Sequence, residues 1–187
     1  MLANLRALFG VVIDIILLRR GPEQLPASPL LMTVVIAINC VVYGVAYHSQ
    51  ILPFLPVASN RWPLDMALST LLTLVWFRVA FKLVHKPERF VQTMIAVFAT
   101  NTLFVPLVLA LIGQLLPYVL KKPPVPAPGL LVFAMCIVTV WTLTVMVRIV
   151  RLAFEWSWVR SIVFLFAGNI AIAIFLSILF GSSQGAA

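Results

Sequence analysis

Five stretches of this chain are apolar and long enough to cross a bilayer, and together they leave little room for any other fold: Pro29 to His48, Met66 to Val84, Phe90 to Leu120, Gly129 to Val147 and Ser161 to Gly181. A hydrocarbon core of about 30 Å takes about 20 apolar residues in helix, and only the second stretch carries internal charges, Arg78 and Lys82. With flanking turns added, helices are expected over 29–48, 66–84, 90–120, 129–150 and 159–181. The basic residues then sort by side. Ten of the 13 fall at the N-terminus or beside the turns after the second and fourth helices; Arg61, Lys121 and Lys122 fall on the other side. Positive charge accumulates on the cytoplasmic face, so the N-terminus is expected in the cytoplasm and the C-terminus on the far side of the membrane. The fold class this predicts is all-α, a polytopic membrane protein of five transmembrane helices.

Residues 1–20, MLANLRALFGVVIDIILLRR, precede the first span. The apolar run is short, holds Asp14 and ends in Arg19-Arg20 rather than a small-residue cleavage site, so the segment reads as a retained helix rather than a signal peptide. Leu2, Leu5, Leu8, Phe9, Val12, Ile13 and Ile16 share one broad helical face, with Arg6, Gly10 and Asp14 opposite. This favours an amphipathic helix lying in the cytoplasmic interface over one packed on the mouth of the bundle. Gly21-Pro22 ends it, Pro26 keeps the link extended, and Pro29 suits the first turn of a helix, where its missing N–H is not needed. Trp62 is placed as an interface anchor. The loop KKPPVPAPG from Lys121 reads as a stiff crossing, and 182–187 as a flexible tail.

The second and third spans and the fourth and fifth form two hairpins of the same orientation with similar landmarks. Arg78 precedes FATN (Phe98 to Asn101), and Arg148 precedes FAGN (Phe166 to Asn169). Copies in one orientation would be related by an axis along the membrane normal.

Candidate functional residues are few. Asn39, Asn101 and Asn169 lie one in each outward-running span, where an unpaired amide is costly. They serve either as glue between helices, the favoured reading, or as a polar interior for a lipid headgroup, quinone or small solute. Arg78, Lys82, Lys86, Arg89, Arg148, Arg151 and Arg160 form a basic collar facing anionic lipid headgroups or an acidic partner. Arg78 lies deepest, roughly 9 Å along the helix from its end, within snorkelling reach of the headgroups. Pro106 removes a backbone hydrogen bond inside the third span and is expected to bend it.

What is missing narrows the function. All five acids, Asp14, Glu23, Asp65, Glu88 and Glu155, lie at helix ends, in loops or in the N-terminal element, which argues against coupling to protons or cations. Neither a His-Glu-x-x-His, a Gly-x-Ser-x-Gly nor a phosphate-binding glycine loop is present. His48 and His85 belong to opposite faces, and Cys40 and Cys136 sit singly in apolar stretches, so neither a metal nor a cofactor is expected. The net charge of +8 is explained by topology, and nucleic acid is not an expected partner. Hydroxyls within the spans, Ser69, Thr70, Thr73, Thr139, Thr142 and Thr144, are expected to bond back to the backbone.

The short cytoplasmic amphipathic lead, the Pro-rich entry RRGPEQLPASP (Arg19 to Pro29) and the five helices with the C-terminus outside resemble those of bacterial Yip-type (Ypt-interacting) membrane proteins. Eukaryotic proteins of that layout bind small GTPases through a longer cytosolic region with a DLYGP-like motif. This chain has neither, and GTPase binding is not carried over. The resemblance implies a protein that is not an enzyme and associates with itself or with other membrane proteins. Two functions are therefore expected, in this order: a scaffold or accessory subunit of a membrane assembly, and a passive channel, carrier or lipid-handling protein using the Asn-containing interior.

Overall fold

A computed structural model describes residues 2–54, 61–121 and 126–181, with side chains described from residue 8 to residue 180 within them. Six α-helices follow in chain order: α1 (Leu2–Ile16), α2 (Pro29–Gln50), α3 (Trp62–Leu83), α4 (Phe90–Leu120), α5 (Gly129–Phe154) and α6 (Trp158–Gly181). Short 3-10 turns at Pro22–Gln24 and Pro87–Arg89 precede α2 and α4. No strand occurs among the described residues. Helices α2 to α6 are each long and apolar enough to cross a membrane, so the chain is an all-α polytopic membrane protein. The expected tail at 182–187 and the loop residues 55–60 and 122–125 lie outside the described residues.

Helix boundaries follow local chemistry. Ser28 caps α2 by accepting from the Leu31 N–H at 3.3 Å, with Pro29 at the first helical position. Trp62 is the first residue of α3. Helix α4 runs unbroken through Pro106 and Pro117, so the lost backbone bonds do not end it.

At the basic end, three helices stop in the same way. Leu18, His85 and Glu155 take left-handed φ values of 60°, 59° and 59°. After each, the next N–H reaches back five residues: Arg19 to the Asp14 carbonyl at 2.8 Å, Lys86 to Phe81 at 3.0 Å and Trp156 to Arg151 at 3.1 Å. This is the Schellman closure, made here without the usual glycine.

His85 lies seven residues after Arg78, and Glu155 seven after Arg148. The two hairpins thus turn at matching positions, and α4 and α6 then start at Phe90 and Trp158. The inner turn of the second hairpin is two residues shorter, which accounts for the difference in Arg-to-Asn spacing. Helix α4 packs on α5 and α3 on α6, the exchange a twofold axis along the bundle would produce. Helix α2 stands outside this four-helix unit, paired along its length with α4.

The packed core occupies the basic end. Phe81, Met94, Ile95, Val145, Ile149, Val150 and Phe154 are all but inaccessible there. Phe154 stacks on Phe81 with ring centres 4.1 Å apart and on Trp156 at 4.5 Å. Phe164 meets Phe77 edge-on at 5.2 Å. Such offset and edge-on pairs add to the packing that holds helices together when lipid is the solvent.

Helix α1 docks onto this core. Ile15 is 2% exposed and Val12 6% exposed, with Leu8 and Val11 packed beside them, while Phe9 is 58% exposed. The buried stripe is therefore rotated from the face read off the helical wheel, which included Phe9 and omitted Ile15. Helix α1 is thus packed against the bundle, and among the described side chains of residues 8–17 Phe9 and Leu17 are the large apolar ones left exposed.

Asn39 belongs to the α2–α4 contact. It is 8% exposed, and its Nδ2 donates to the Phe98 carbonyl at 3.4 Å and to Thr102 Oγ1 at 3.3 Å. Thr102 in turn donates to Phe98 O at 2.8 Å. Interhelical amide contacts in membranes average about 0.6 kcal/mol. Asn39→Leu should therefore lower unfolding free energy in mixed micelles by about that amount, and a loss several times larger would show that Asn39 does more than join two helices.

Candidate functional site: a cavity among four helices

The interior opens just above the aromatic floor. A cavity of about 440 Å³ lies among α3, α4, α5 and α6, within the range of ordinary ligand sites. Phe77, Trp76 and Leu165 line its lower part, and Val108, Met135 and Ile172 are among its apolar walls. Its polar groups are Asn101, Asn169, Thr73, Thr139, Thr142 and the Trp76 indole.

The placement of the two amides follows from the hairpin equivalence. Asn101 stands eleven positions after the start of α4, and Asn169 eleven after the start of α6. At 1.5 Å per residue that is about 16 Å, half of a hydrocarbon core. Val97 and Leu165, one turn earlier on the same helices, are the next matched pair in the lining. The cavity is therefore lined by matched positions of the two hairpins.

Its hydrogen-bonding groups are partly spent. Thr73 donates to Ser69 O at 2.7 Å and Thr142 to Val138 O at 2.8 Å, as expected of hydroxyls in membrane helices. Asn169 Nδ2 donates to Leu165 O at 2.8 Å, leaving one N–H and the carbonyl oxygen. The Asn101 amide makes no hydrogen bond among the described residues. Trp76 Nε1 is buried and lacks a partner. It abuts Gly168, where an added Cβ would come within 2.7 Å of that nitrogen.

Sequence reasoning grouped Asn39 with Asn101 and Asn169; the structure unites only the last two. It also adds Trp76 and Gly168, which have no distinguishing spacing of their own. Their signal was indirect: Gly168 follows FA in the second hairpin as Thr100 does in the first.

The basic collar divides into distinct environments. Lys86 and Arg89 both ion-pair with Glu155, the Arg89 Nη1 at 2.8 Å. Arg89 also donates to the Leu152 and Ala153 carbonyls at 3.4 Å, where the negative end of the α5 dipole favours a cation. Arg78 lies over the Phe90 ring at 5.1 Å and Arg151 over Trp158 at 5.2 Å. Phe90 and Trp158 are the equivalent first residues of α4 and α6. The Arg148 Nε is buried without a partner. Lys82 and Arg160 remain exposed and available to headgroups.

The hydrogen bond and positive charge of Lys86, with the charge of Arg89, hold the Glu155 carboxyl below the usual carboxylate range. A lowered folded-state value means the contribution to stability is present above the ordinary value of about 4.3 and is lost as pH falls through the lowered one. The pair is exposed, so the effect is small. Glu155→Gln should flatten the acid limb of a thermal-unfolding profile in detergent; an acid limb identical to that of the unsubstituted protein would mean the ion pairs contribute nothing.

Among the described residues no cluster of His, Cys, Asp and Glu could hold a metal ion. Cys40 and Cys136 are free thiols in different helices. Comparison with known protein families, with curated proteins and with solved structures finds no match.

Proposed function

We propose that this chain is a non-catalytic integral membrane protein that handles a ligand borne by the bilayer, holding it in the cavity among α3 to α6. The observation that carries this reading is the pairing of Asn101 with Asn169 in a cavity of about 440 Å³, with hydrogen-bonding capacity that the protein leaves unused. Unsatisfied amides are costly at that depth, and glue would have consumed them as it does at Asn39. The accessory-subunit reading draws on Asn39 and on exposed Lys82 and Arg160, and it concerns the outside of the bundle.

An orientation with the basic end in the cytoplasm is supported by the ten-to-three division of basic residues, and the bacterial inner membrane is what the Yip-type resemblance implies. An alkaline phosphatase fused to the C-terminus should be active, and an inactive fusion would reverse the orientation.

The direct test of ligand handling is native mass spectrometry of the protein released from its own membrane. A small molecule should stay bound and be lost in Gly168→Val, where the new side chain drives Trp76 toward the cavity. A bare chain, or one retaining only another protein, would favour the accessory-subunit reading.

A further inference from the structure

We infer that the ligand is an uncharged amphiphile whose hydroxyl or carbonyl head is gripped by Asn101 and Asn169 while its tail lies along the apolar walls. This inference rests on the ligand-handling reading above and adds the chemical class. The first argument is charge. No ionisable side chain lines the cavity. The nearest basic residues in sequence are Arg78, whose guanidinium is occupied over Phe90, and Arg148, whose Nε is buried without a partner but which is not among the cavity-lining residues. A phosphate or carboxylate placed there would be a buried charge without a partner. An ammonium group would fare no better, because no carboxylate faces it.

The second argument is hydrogen-bond valence. Asn101 offers its whole amide, and Asn169 one N–H and its carbonyl oxygen. Thr73 and Thr142 have spent their protons but keep acceptor lone pairs. Donors and acceptors therefore converge in one neutral chamber. A pure hydrocarbon would leave them unsatisfied; a carbonyl can accept from the amides, and a hydroxyl can both donate and accept. The third argument is access. Thr139, Leu143 and Asn169 line the cavity yet are exposed on their helices. They stand in the middle stretches of α5 and α6, so the opening faces hydrocarbon rather than water, and the ligand enters from the bilayer. Glycerides with a free hydroxyl and isoprenoid quinones share this chemistry.

Trp76, in the wall, supplies the readout. The intact protein in phosphatidylcholine nanodiscs would be titrated with brominated diacylglycerol, a short-chain ubiquinone or brominated phosphatidylglycerol. Trp76→Phe would identify the share of quenching that arises at the cavity. We expect saturable, Trp76-dependent quenching by the diacylglycerol or the quinone, and none by phosphatidylglycerol beyond a brominated phosphatidylcholine control. Whichever neutral probe saturates identifies the source. Asn101→Leu with Asn169→Leu should weaken that binding about tenfold, the scale of two amide contacts in a membrane, with helix content unchanged by circular dichroism. Equal quenching by the anionic lipid, or neutral-probe binding indifferent to the two Asn substitutions, would overturn the inference and leave ligand handling standing. If none of the three probes saturates and no small molecule is retained in native mass spectrometry, both readings fall.

Discussion

Phe154→Ala should destabilise the bundle by about 3 kcal/mol, measured by reversible SDS-induced unfolding in mixed micelles. The residue is 1% exposed, and its ring contacts four others: Phe81, Trp156, Phe164 and Phe77, with centres between 4.1 and 6.4 Å. These belong to α3, α6 and the turn between α5 and α6, so one truncation opens a void where three segments meet. Lipid cannot fill it, and the lost dispersion contacts are not replaced. Phe133, on the same helix and 62% exposed, is the control, because lipid solvates its site in either case. Phe133→Ala should change stability by less than about 0.5 kcal/mol. Equal losses at the two positions would mean that the aromatic cluster does not hold the basic end together.

The fold was legible in the chain to an unusual degree, because hydrocarbon solvent imposes a strong and simple requirement. Phe90 and Leu120 bound α4 where hydropathy alone placed them, and Arg78 with Arg148 already marked the matching turns. Distinctions that depend on rotation about a helix axis were not legible. Asn39 faces α4, whereas Asn101 and Asn169 face the cavity, and an amide in an all-apolar helix carries no sign of which way it points. The same limit displaced the buried stripe of α1 toward Ile15, since a helix apolar on most sides has no sharp face. His85 and Glu155 were unreadable as turn points for another reason. Residues other than glycine are uncommon at positive φ, and neither is preceded by a turn motif.

The cavity follows from uneven packing. Large aromatic side chains fill the basic end, while threonine, asparagine and glycine at the middle of α3 to α6 leave space that the helix ends hold open. The floor and the cavity share Phe77 and Phe164, the latter through its stack on Trp76 at 5.4 Å. Stability at one end and ligand capacity at the other are therefore separable only by substitutions that spare this shared pair. Asn101 and Asn169 meet that condition.

Gly113→Ala should destabilise the protein by about 2 kcal/mol, against the direction that helix propensity alone dictates. Exchanging glycine for alanine within a helix ordinarily gains about 1 kcal/mol. At Gly113, however, an added Cβ would stand 2.6 Å from the Gln50 carbonyl oxygen and 3.2 Å from Gln50 Cβ. The obstacle includes backbone at the last residue of α2, so relief requires α2 and α4 to separate rather than a side chain to rotate. Overpacking of this kind costs about 1 to 3 kcal/mol, and close approach at small residues is a principal source of helix association in membranes. Gly129 opens α5 with nothing within 4 Å of its would-be Cβ, so Gly129→Ala should be neutral or slightly stabilising. The two substitutions are chemically identical, and SDS-induced unfolding should show a loss at Gly113 and none at Gly129. A stabilising Gly113→Ala would mean that α2 and α4 are not held at this separation. Because α2 contributes no residue to the cavity lining, ligand retention should survive in Gly113→Ala under conditions where the protein stays folded. Its loss would show that α2, which stands outside the paired hairpins, nonetheless controls the shape of the chamber they enclose.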